Sequence, residues 1–160
     1  MKKEIADFKV NGRRYEVLIT PNMTLDELLR EQLDFTGTKR SCGVGQCGSC
    51  TVLVDGAPTL ACSTLAIAVR DKEILTIEGL ARGNQLHPLQ QAFIDKGAIQ
   101  CGFCTPGMIM MAKALLDENL NPSRQEVKEG LAGNLCRCTG YVKIIEAVLA
   151  AAETMRKRAR

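Results

Sequence analysis

Eight cysteines divide this chain of 160 residues into two sets of four, with no cysteine left over. The first set is Cys42, Cys47, Cys50 and Cys62, with the spacing C-x4-C-x2-C-x11-C. The second set consists of a C-x2-C pair and a later C-x-C pair, and its members are Cys101, Cys104, Cys136 and Cys138. Four thiolates form a complete ligand set for a metal centre, so the sequence predicts two such centres.

The spacing of the first set indicates which metal it holds. C-x4-C-x2-C followed by a more distant cysteine is the pattern by which plant-type ferredoxins bind a [2Fe–2S] cluster. The first set therefore predicts one-electron transfer. The second set, taken alone, also fits a structural zinc site with four thiolates, and a zinc or redox-sensing thiol module remains an alternative.

Four disulfides are a weaker alternative for the same eight cysteines. Disulfide scaffolds are usually shorter than about 80 residues and follow a secretory signal peptide. The first residues, MKKEIADFKVNGRRYEV, contain neither an apolar run nor a small-residue cleavage site. We therefore expect reduced cysteines and a cytoplasmic protein.

Composition excludes several classes of function. Hydrophobic residues make up 46% and charged residues 24%, as in an ordinary globular protein, and no apolar stretch approaches the length of a membrane span. The net charge is +3, with basic residues concentrated at 156–160. This run is interpreted as a solvated helix end, with docking to an acidic partner as the alternative. The absence of tryptophan and of basic stripes interleaved with aromatics argues against nucleic-acid binding.

Residues 1–79 show the pattern of a small mixed α/β domain. Asn11 and Gly12 separate two alternating segments and are typical of a tight hairpin turn. Thr24 and Glu27 form a capping box that begins an amphipathic helix. The apolar face of this helix comprises Leu25, Leu28, Leu29 and Leu33. Strands are predicted at residues 5–10, 15–19, 51–54 and 74–78.

The segment from residue 36 to residue 50 is predicted to be a loop around the first metal centre. It contains three cysteines and four glycines, a composition unsuited to a regular helix or strand. Glycine also lets backbone N–H groups approach the negatively charged sulfurs of a cluster. Cys62 joins this site from a later segment.

Residues 80–160 change to helical periodicity, so a domain boundary is predicted near residues 79–84. Proline suits the first turn of a helix, as at Pro88 and Pro106, and Ser123 with Glu126 forms a second capping box. Four helices are predicted at residues 89–94, 108–116, 127–131 and 141–155.

A near repeat lies within this helical half. The C-x2-C pair precedes Thr105, and the C-x-C pair precedes Thr139; each threonine is predicted to cap the helix that follows. Two helix N-termini would then converge on one site, where their dipoles favour negative charge. An anionic thiolate cluster suits such a site, although a four-thiolate zinc site is anionic too.

Three sequence segments closely resemble the iron–sulfur subunit of the xanthine oxidase family of molybdenum hydroxylases. They are TGTKRSCGVGQCGSCTVLVDG at 36–56, QCGFCTPG at 100–107 and GNLCRCTGY at 133–141. The resemblance covers nearly the whole chain. It implies an α+β fold, with a β-grasp plant-type ferredoxin domain over 1–79 and an all-α four-helix domain over 80–160, each holding one [2Fe–2S] cluster.

The resemblance also implies roles for particular residues and for partner subunits. Cys42, Cys47, Cys50 and Cys62 would hold an outer cluster near a flavin, and Cys101, Cys104, Cys136 and Cys138 an inner cluster near the molybdenum cofactor. Gln100 would contact the pterin, with an ordinary helix-terminus hydrogen bond as the alternative. Cys138 would be the cluster ligand closest to the pterin. The expected partners are a large molybdopterin-binding subunit and a flavin-binding medium subunit carrying FAD. We expect a hetero-oligomer, with a dimer of heterotrimers as one arrangement.

The expected function is an electron relay within a molybdenum hydroxylase, without substrate chemistry in this chain. No Ser–His–Asp or paired-carboxylate arrangement suggests otherwise, and the single histidine, His87, precedes a helix-starting proline and is expected to be structural. The alternative from another class is a free-standing electron carrier. The second cysteine set argues against a simple carrier, because one cluster suffices for that task.

Overall fold

The computed structural model describes residues 3–158 and has an α+β fold, as predicted. Its five strands form one sheet in the order β2-β1-β5-β3-β4. The strands are β1 (Glu4–Val10), β2 (Arg13–Ile19), β3 (Thr51–Val54), β4 (Ala57–Leu60) and β5 (Glu73–Leu75).

The sheet has the β-grasp arrangement expected of a ferredoxin domain. β1 and β2 form an antiparallel hairpin, and β1 also pairs in parallel with the late strand β5. Asn11 and Gly12 both have positive φ, at 52° and 77°, so the predicted tight turn is confirmed. Asp55 and Gly56, with φ of 51° and 82°, form the same kind of turn between β3 and β4.

Two details of the sheet differ from the prediction. The strand expected at residues 74–78 ends at Leu75, and a 3-10 turn at Ile77–Gly79 follows it. β4 was not predicted, because its sequence, Ala-Pro-Thr-Leu, lacks the alternation of a half-buried strand. It lies at the sheet edge, where Pro58 is tolerated since no neighbour requires its missing N–H.

The predicted first helix is present but changes its winding. α1 (Leu25–Glu27) has the predicted capping box and continues as a π-helical turn, Leu28–Gln32. Leu25, Leu28 and Leu29 are fully buried against the sheet, whereas Leu33 only caps the turn. The three leucines are at positions i, i+3 and i+4 and therefore share the face that packs on the sheet.

Four further helices form the second half, as predicted. They are α2 (Pro88–Asp95), α3 (Thr105–Glu118), α4 (Arg124–Gly130) and α5 (Val142–Arg158). Ser123 and Glu126 make the predicted capping box of α4. Within residues 3–158 no helix is both long and apolar enough to cross a membrane.

Apolar side chains gather into two cores, one per half. The first lies between the sheet and α1 and includes Phe8, Ile19 and Ile74. The second lies among the four helices and includes Phe93, Met108 and other fully buried residues. Leu80 belongs to the helical core, in keeping with the predicted boundary, but Leu53 of β3 does too. The division at residues 79 and 80 therefore stays a prediction, since the sheet packs closely on α3.

Candidate metal centres

The first three cysteines lie on an irregular loop, as predicted, between the π-helical turn and β3. Gly43, Gly45 and Gly48 adopt positive φ of 68°, 75° and 68°, which other residues rarely adopt. The fourth cysteine, Cys62, lies in a 3-10 turn at Ala61–Ser63 directly after β4. The loop and the turn thus bring all members of the first set to one end of the sheet.

An ion pair between a buried carboxylate and a partly exposed guanidinium anchors the start of this loop. Asp26 of α1 has no solvent exposure, and its Oδ2 lies 2.7 Å from Nε of Arg40. Arg40 also pairs with Glu27 at 3.0 Å. The Thr24 backbone N–H and then Arg40 hold the pKa of Glu27 below its usual value. Since Arg40 is two residues from Cys42, these contacts fix where the cysteine loop begins.

The thiols of the first set associate in two pairs. Cys42 interacts with Cys47, and its Sγ accepts hydrogen bonds from backbone N–H groups of Val44 at 3.5 Å and Gln46 at 3.3 Å. Amides of Val44, Cys47 and Gln46 lower the pKa of the Cys42 thiol to about 6. Cys50 and Cys62 are both buried and contact each other; burial first, and then Cys62, raise the pKa of Cys50 to about 12.

The second set lines one cavity of about 300 Å³. Cys101 and Cys138 are exposed at its rim, with their sulfurs 3.6 Å apart. Cys104 lies at its buried end beside Cys136. Burial first, and then Cys136, raise the pKa of Cys104 to about 12. All four predicted residues therefore meet at one site, which also forms from two pairs.

The two threonines of the near repeat do not cap helices in the predicted way. Cys104 occupies the cap position of α3 without a capping side-chain bond, and Thr105 is already helical. Thr139 lies before α5 and donates to Sγ of Cys136, from Oγ1 at 3.1 Å and from its backbone N at 3.4 Å. Burial acts to raise the pKa of Cys136, but hydrogen bonds from Thr139, and then from Cys138 and Cys104, together lower it to about 7.

The paired arrangement fits a binuclear cluster better than a single ion. In a [2Fe–2S] cluster each of two bridged irons takes two thiolates. One tetrahedral zinc instead requires four sulfurs about 2.3 Å from a common point. The half-buried Cys42 and the buried Cys50 mark the two ends of the first site, as the exposed Cys138 and the buried Cys104 do for the second.

Backbone contacts join the two sites. The carbonyl oxygen of Cys47 accepts from the Leu135 N–H at 2.9 Å. The side chain of Asn134, which is 4% exposed, donates to the Gly48 carbonyl oxygen at 2.9 Å and to Thr51 Oγ1 at 3.3 Å. Cys47 also lines the cavity of the second set. The ligand loops of both sites are therefore in direct contact.

This contact requires glycine on both sides. A Cβ on Gly48 would lie 2.6 Å from the carbonyl oxygen of Gly133, and a Cβ on Gly107 would lie 2.4 Å from that of Gly48. Real Cβ atoms do not approach backbone oxygens so closely. The roles of Gly107 and Asn134 were missed at the sequence level, because nothing in a glycine or an isolated asparagine identifies a partner remote in sequence.

Two further predicted residues can be placed. Gln100 is exposed beside Cys101. Within the described part of the chain its side-chain amide makes no hydrogen bond, so the helix-terminus hydrogen bond considered as its alternative role is not present there. His87 caps α2, where its Nδ1 accepts from the Leu89 N–H at 3.2 Å. The structural role expected of His87 is confirmed.

Comparisons with known proteins agree with this geometry. A family described as "[2Fe-2S] binding domain" matches residues 76–149, and one described as "2Fe-2S iron-sulfur cluster binding domain" matches residues 2–100. The chain is 48% identical over 142 residues to the xanthine dehydrogenase iron-sulfur-binding subunit of Escherichia coli O157:H7, covering 88% of this chain and 89% of the relative. It is 45% identical over 153 residues to the nicotinate dehydrogenase small FeS subunit of Eubacterium barkeri, covering 96% and 98%.

Solved structures show the same similarity. A chain of quinoline 2-oxidoreductase from Pseudomonas putida 86 matches with a TM-score of 0.94 and 46% identity, over 98% of both chains. The aldehyde oxidoreductase of Desulfovibrio desulfuricans ATCC 27774 matches with a TM-score of 0.93 and 46% identity, over 96% of this chain and 17% of that one.

Proposed function

This chain belongs to the iron–sulfur subunits of the xanthine oxidase family of molybdenum hydroxylases, and we propose that each of its cysteine sets holds one [2Fe–2S] cluster. It carries two [2Fe–2S]-binding domains and is the electron-transfer component of an enzyme whose large subunit contains a molybdopterin cofactor. Each cluster, when bound, accepts and returns one electron. The chemistry on the organic substrate belongs to the cofactor of the large subunit.

The thiol pairs support a particular ligand assignment. In the first site, Cys42 and Cys47 would hold one iron, and Cys50 and Cys62 the other. In the second site, the iron pairs would be Cys101 with Cys138, and Cys104 with Cys136. The observation that carries this assignment is the pairwise contact of the sulfurs, with one pair at each site more accessible to solvent than the other.

We propose that the exposed end of the second site faces the large subunit. Cys101 and Cys138 are accessible there, and they are surrounded by exposed apolar side chains, Phe103 at 45% and Leu135 at 53%. Large exposed apolar side chains grouped around a functional site are typical of a protein interface. The unengaged amide of Gln100 lies beside Cys101, where it would hydrogen-bond to the pterin.

The first site would exchange electrons with a flavin-binding subunit or with an external acceptor. Val44, 66% exposed, and the glycines around it leave Cys42 close to the surface of the loop. A short, open loop of this kind suits a docking face. On this proposal the enzyme is a hetero-oligomer of large, flavin-binding and iron–sulfur subunits, for which a dimer of heterotrimers is one arrangement, and the unpaired thiols suit the cytoplasm.

Electrons would therefore enter at the second site and leave from the first. Replacing Cys47 by Ser tests this direction in the assembled enzyme. We expect substrate to reduce the second cluster as before, while reoxidation by the flavin or the external acceptor is blocked. Rapid-mixing spectroscopy measures both steps, and Ser41→Ala in the same loop is the control. Loss of second-cluster reduction in Cys47→Ser, with that cluster still present, would reverse the proposed order.

A further inference from the structure

Thr139 makes an unusual set of contacts beside the second site. Its hydroxyl donates to Cys136 Sγ at 3.1 Å and lies 3.3 Å from the backbone N of Tyr141, which donates to it. An N–H can only donate, so the Tyr141 amide occupies a lone pair of Oγ1. The hydroxyl proton is consequently directed toward the sulfur.

The surrounding backbone holds Thr139 in this orientation. Gly140 and Tyr141 both have φ of 66°, a left-handed conformation that turns the chain back toward Cys136. The phenolic oxygen of Tyr141 then accepts from the Cys136 N–H at 2.8 Å. Residues 136–141 thus form a closed, hydrogen-bonded loop in which the threonine hydroxyl has little freedom to rotate.

The hydrogen-bond donors are distributed unevenly between the two ends of the second site. Cys136 receives both the hydroxyl and the backbone N–H of Thr139. At the exposed end, Cys138 receives a backbone hydrogen bond from Cys101, but the only hydrogen bond between side chains that involves either residue within residues 3–158 is the one between their own thiols. That bond is lost once both sulfurs are deprotonated as metal ligands.

Hydrogen bonds to cluster sulfurs stabilise the more negatively charged state, which is the reduced one. We propose that Thr139 raises the reduction potential of the second [2Fe–2S] centre, acting at the iron held by Cys104 and Cys136. This inference rests on the proposed function. Cys136 follows Leu135, whose N–H contacts Cys47 of the first site. Thr139 would therefore stabilise the extra electron of the reduced cluster on the iron held by Cys104 and Cys136. This is the end of the second site that adjoins the first site.

The test is a redox titration of the assembled enzyme followed by electron paramagnetic resonance. Thr139→Val removes the hydroxyl at nearly constant volume, and Thr139→Ser keeps it. We expect Thr139→Val to lower the midpoint potential of the second centre, Thr139→Ser to leave it close to the wild-type value, and the first centre to be unchanged in both. A role in packing alone would not produce this pattern.

The hydrogen bond from the Thr139 hydroxyl can also be detected directly, by its proton coupling to the reduced cluster. The reduced second centre of the wild-type enzyme should show a proton coupling that disappears in D₂O; the coupling that Thr139→Ser retains and Thr139→Val loses belongs to the hydroxyl, because the backbone N–H of Thr139 is present in both variants. An unchanged potential in a Thr139→Val enzyme with full iron content would overturn the inference. So would an equal shift in Thr139→Ser, or the absence of any exchangeable coupling in the wild type. If the wild-type enzyme lacks a second [2Fe–2S] signal altogether, the proposed function itself fails.

Discussion

The backbone N–H of Leu135 donates to the carbonyl oxygen of Cys47 at an N···O distance of 2.9 Å. Leu135 immediately precedes Cys136, so a single hydrogen bond connects a cysteine of the first set with the segment that carries two cysteines of the second. The two halves of the chain thus meet through the loops that carry their cysteines. The packing of the two halves against each other includes this contact.

Asn134, the neighbour of Leu135, should stabilise this contact measurably. Its buried amide donates to the Gly48 carbonyl oxygen and to Thr51 Oγ1. Asn134→Ala should lower the free energy of unfolding by about 1–2 kcal/mol, as expected for a lost buried hydrogen bond and a small cavity. Thermal unfolding of the full chain measures the effect. Asn84→Ala, at an exposed position, is the control, and equal midpoints for the two variants would contradict the prediction.

Gly107 should be intolerant of even a methyl group, although it lies in a helix. Alanine normally stabilises a helix by up to about 1 kcal/mol relative to glycine. Here its Cβ would lie 2.4 Å from the Gly48 carbonyl oxygen and would push the first cysteine loop away from α3. Gly107→Ala should therefore lower the thermal midpoint and the iron content. Gly133→Ala is the matched control, because nothing lies within 4 Å of its added Cβ. If Gly107→Ala changes neither the thermal midpoint nor the iron content, the two halves are less closely packed than described.

The Arg40 and Asp26 pair should hold the first cysteine loop in place. Asp26 is fully buried, so Arg40→Met leaves a carboxylate without its nearest cation. Since Arg40 is partly exposed, we expect a loss of about 1–3 kcal/mol rather than the full cost of a buried pair. Iron should be released from the first cluster faster than from the second, as followed by visible absorption during chelation. Arg13→Met, at an exposed position on β2, should release both clusters at the wild-type rates.

His87 should make the stability of the helical half depend on pH. Burial first, and then the nearby Lys113, lower the pKa of His87 from its ordinary value of 6.5. The folded state then binds this proton less readily than the unfolded state, so stability is full above pH 6.5 and falls as the pH decreases below it. Protonation also removes the Nδ1 acceptor that caps α2. His87→Asn retains a cap that does not titrate. The thermal midpoint of this variant should change less than that of the wild type between pH 7 and pH 5. If the midpoints of both proteins fall equally over this range, His87 is not the cause of the pH dependence.

Much of the architecture was accessible from the sequence because it depends on local patterns. The Asn11-Gly12 turn, the Ser123 and Glu126 capping box and the order of the four helices are set by neighbouring residues. The cysteine spacing predicted two sets of four ligands, and the four cysteines of the second set do line one cavity. The short edge strand β4 escaped prediction because its register is imposed by β3 rather than by its own sequence.

Features created by contacts between distant segments could not be predicted. Asn134 and Gly48 are far apart in sequence, and no local pattern links them. Thr139 was expected to cap a helix, as threonines before helices commonly do. Its hydroxyl instead bonds to Cys136, because the left-handed backbone at Gly140 and Tyr141 turns the chain before α5 begins. The pairing of sulfurs within each set likewise required the folded loops.

The central claim is that this one chain carries two [2Fe–2S] clusters, one at each cysteine set. Iron analysis together with electron paramagnetic resonance of the reduced protein tests it most directly. We predict four irons per chain and two distinguishable signals, with full reduction accounting for one electron per cluster. Two irons and a single rhombic signal, or zinc in place of iron at Cys101, Cys104, Cys136 and Cys138, would contradict the account of the second site.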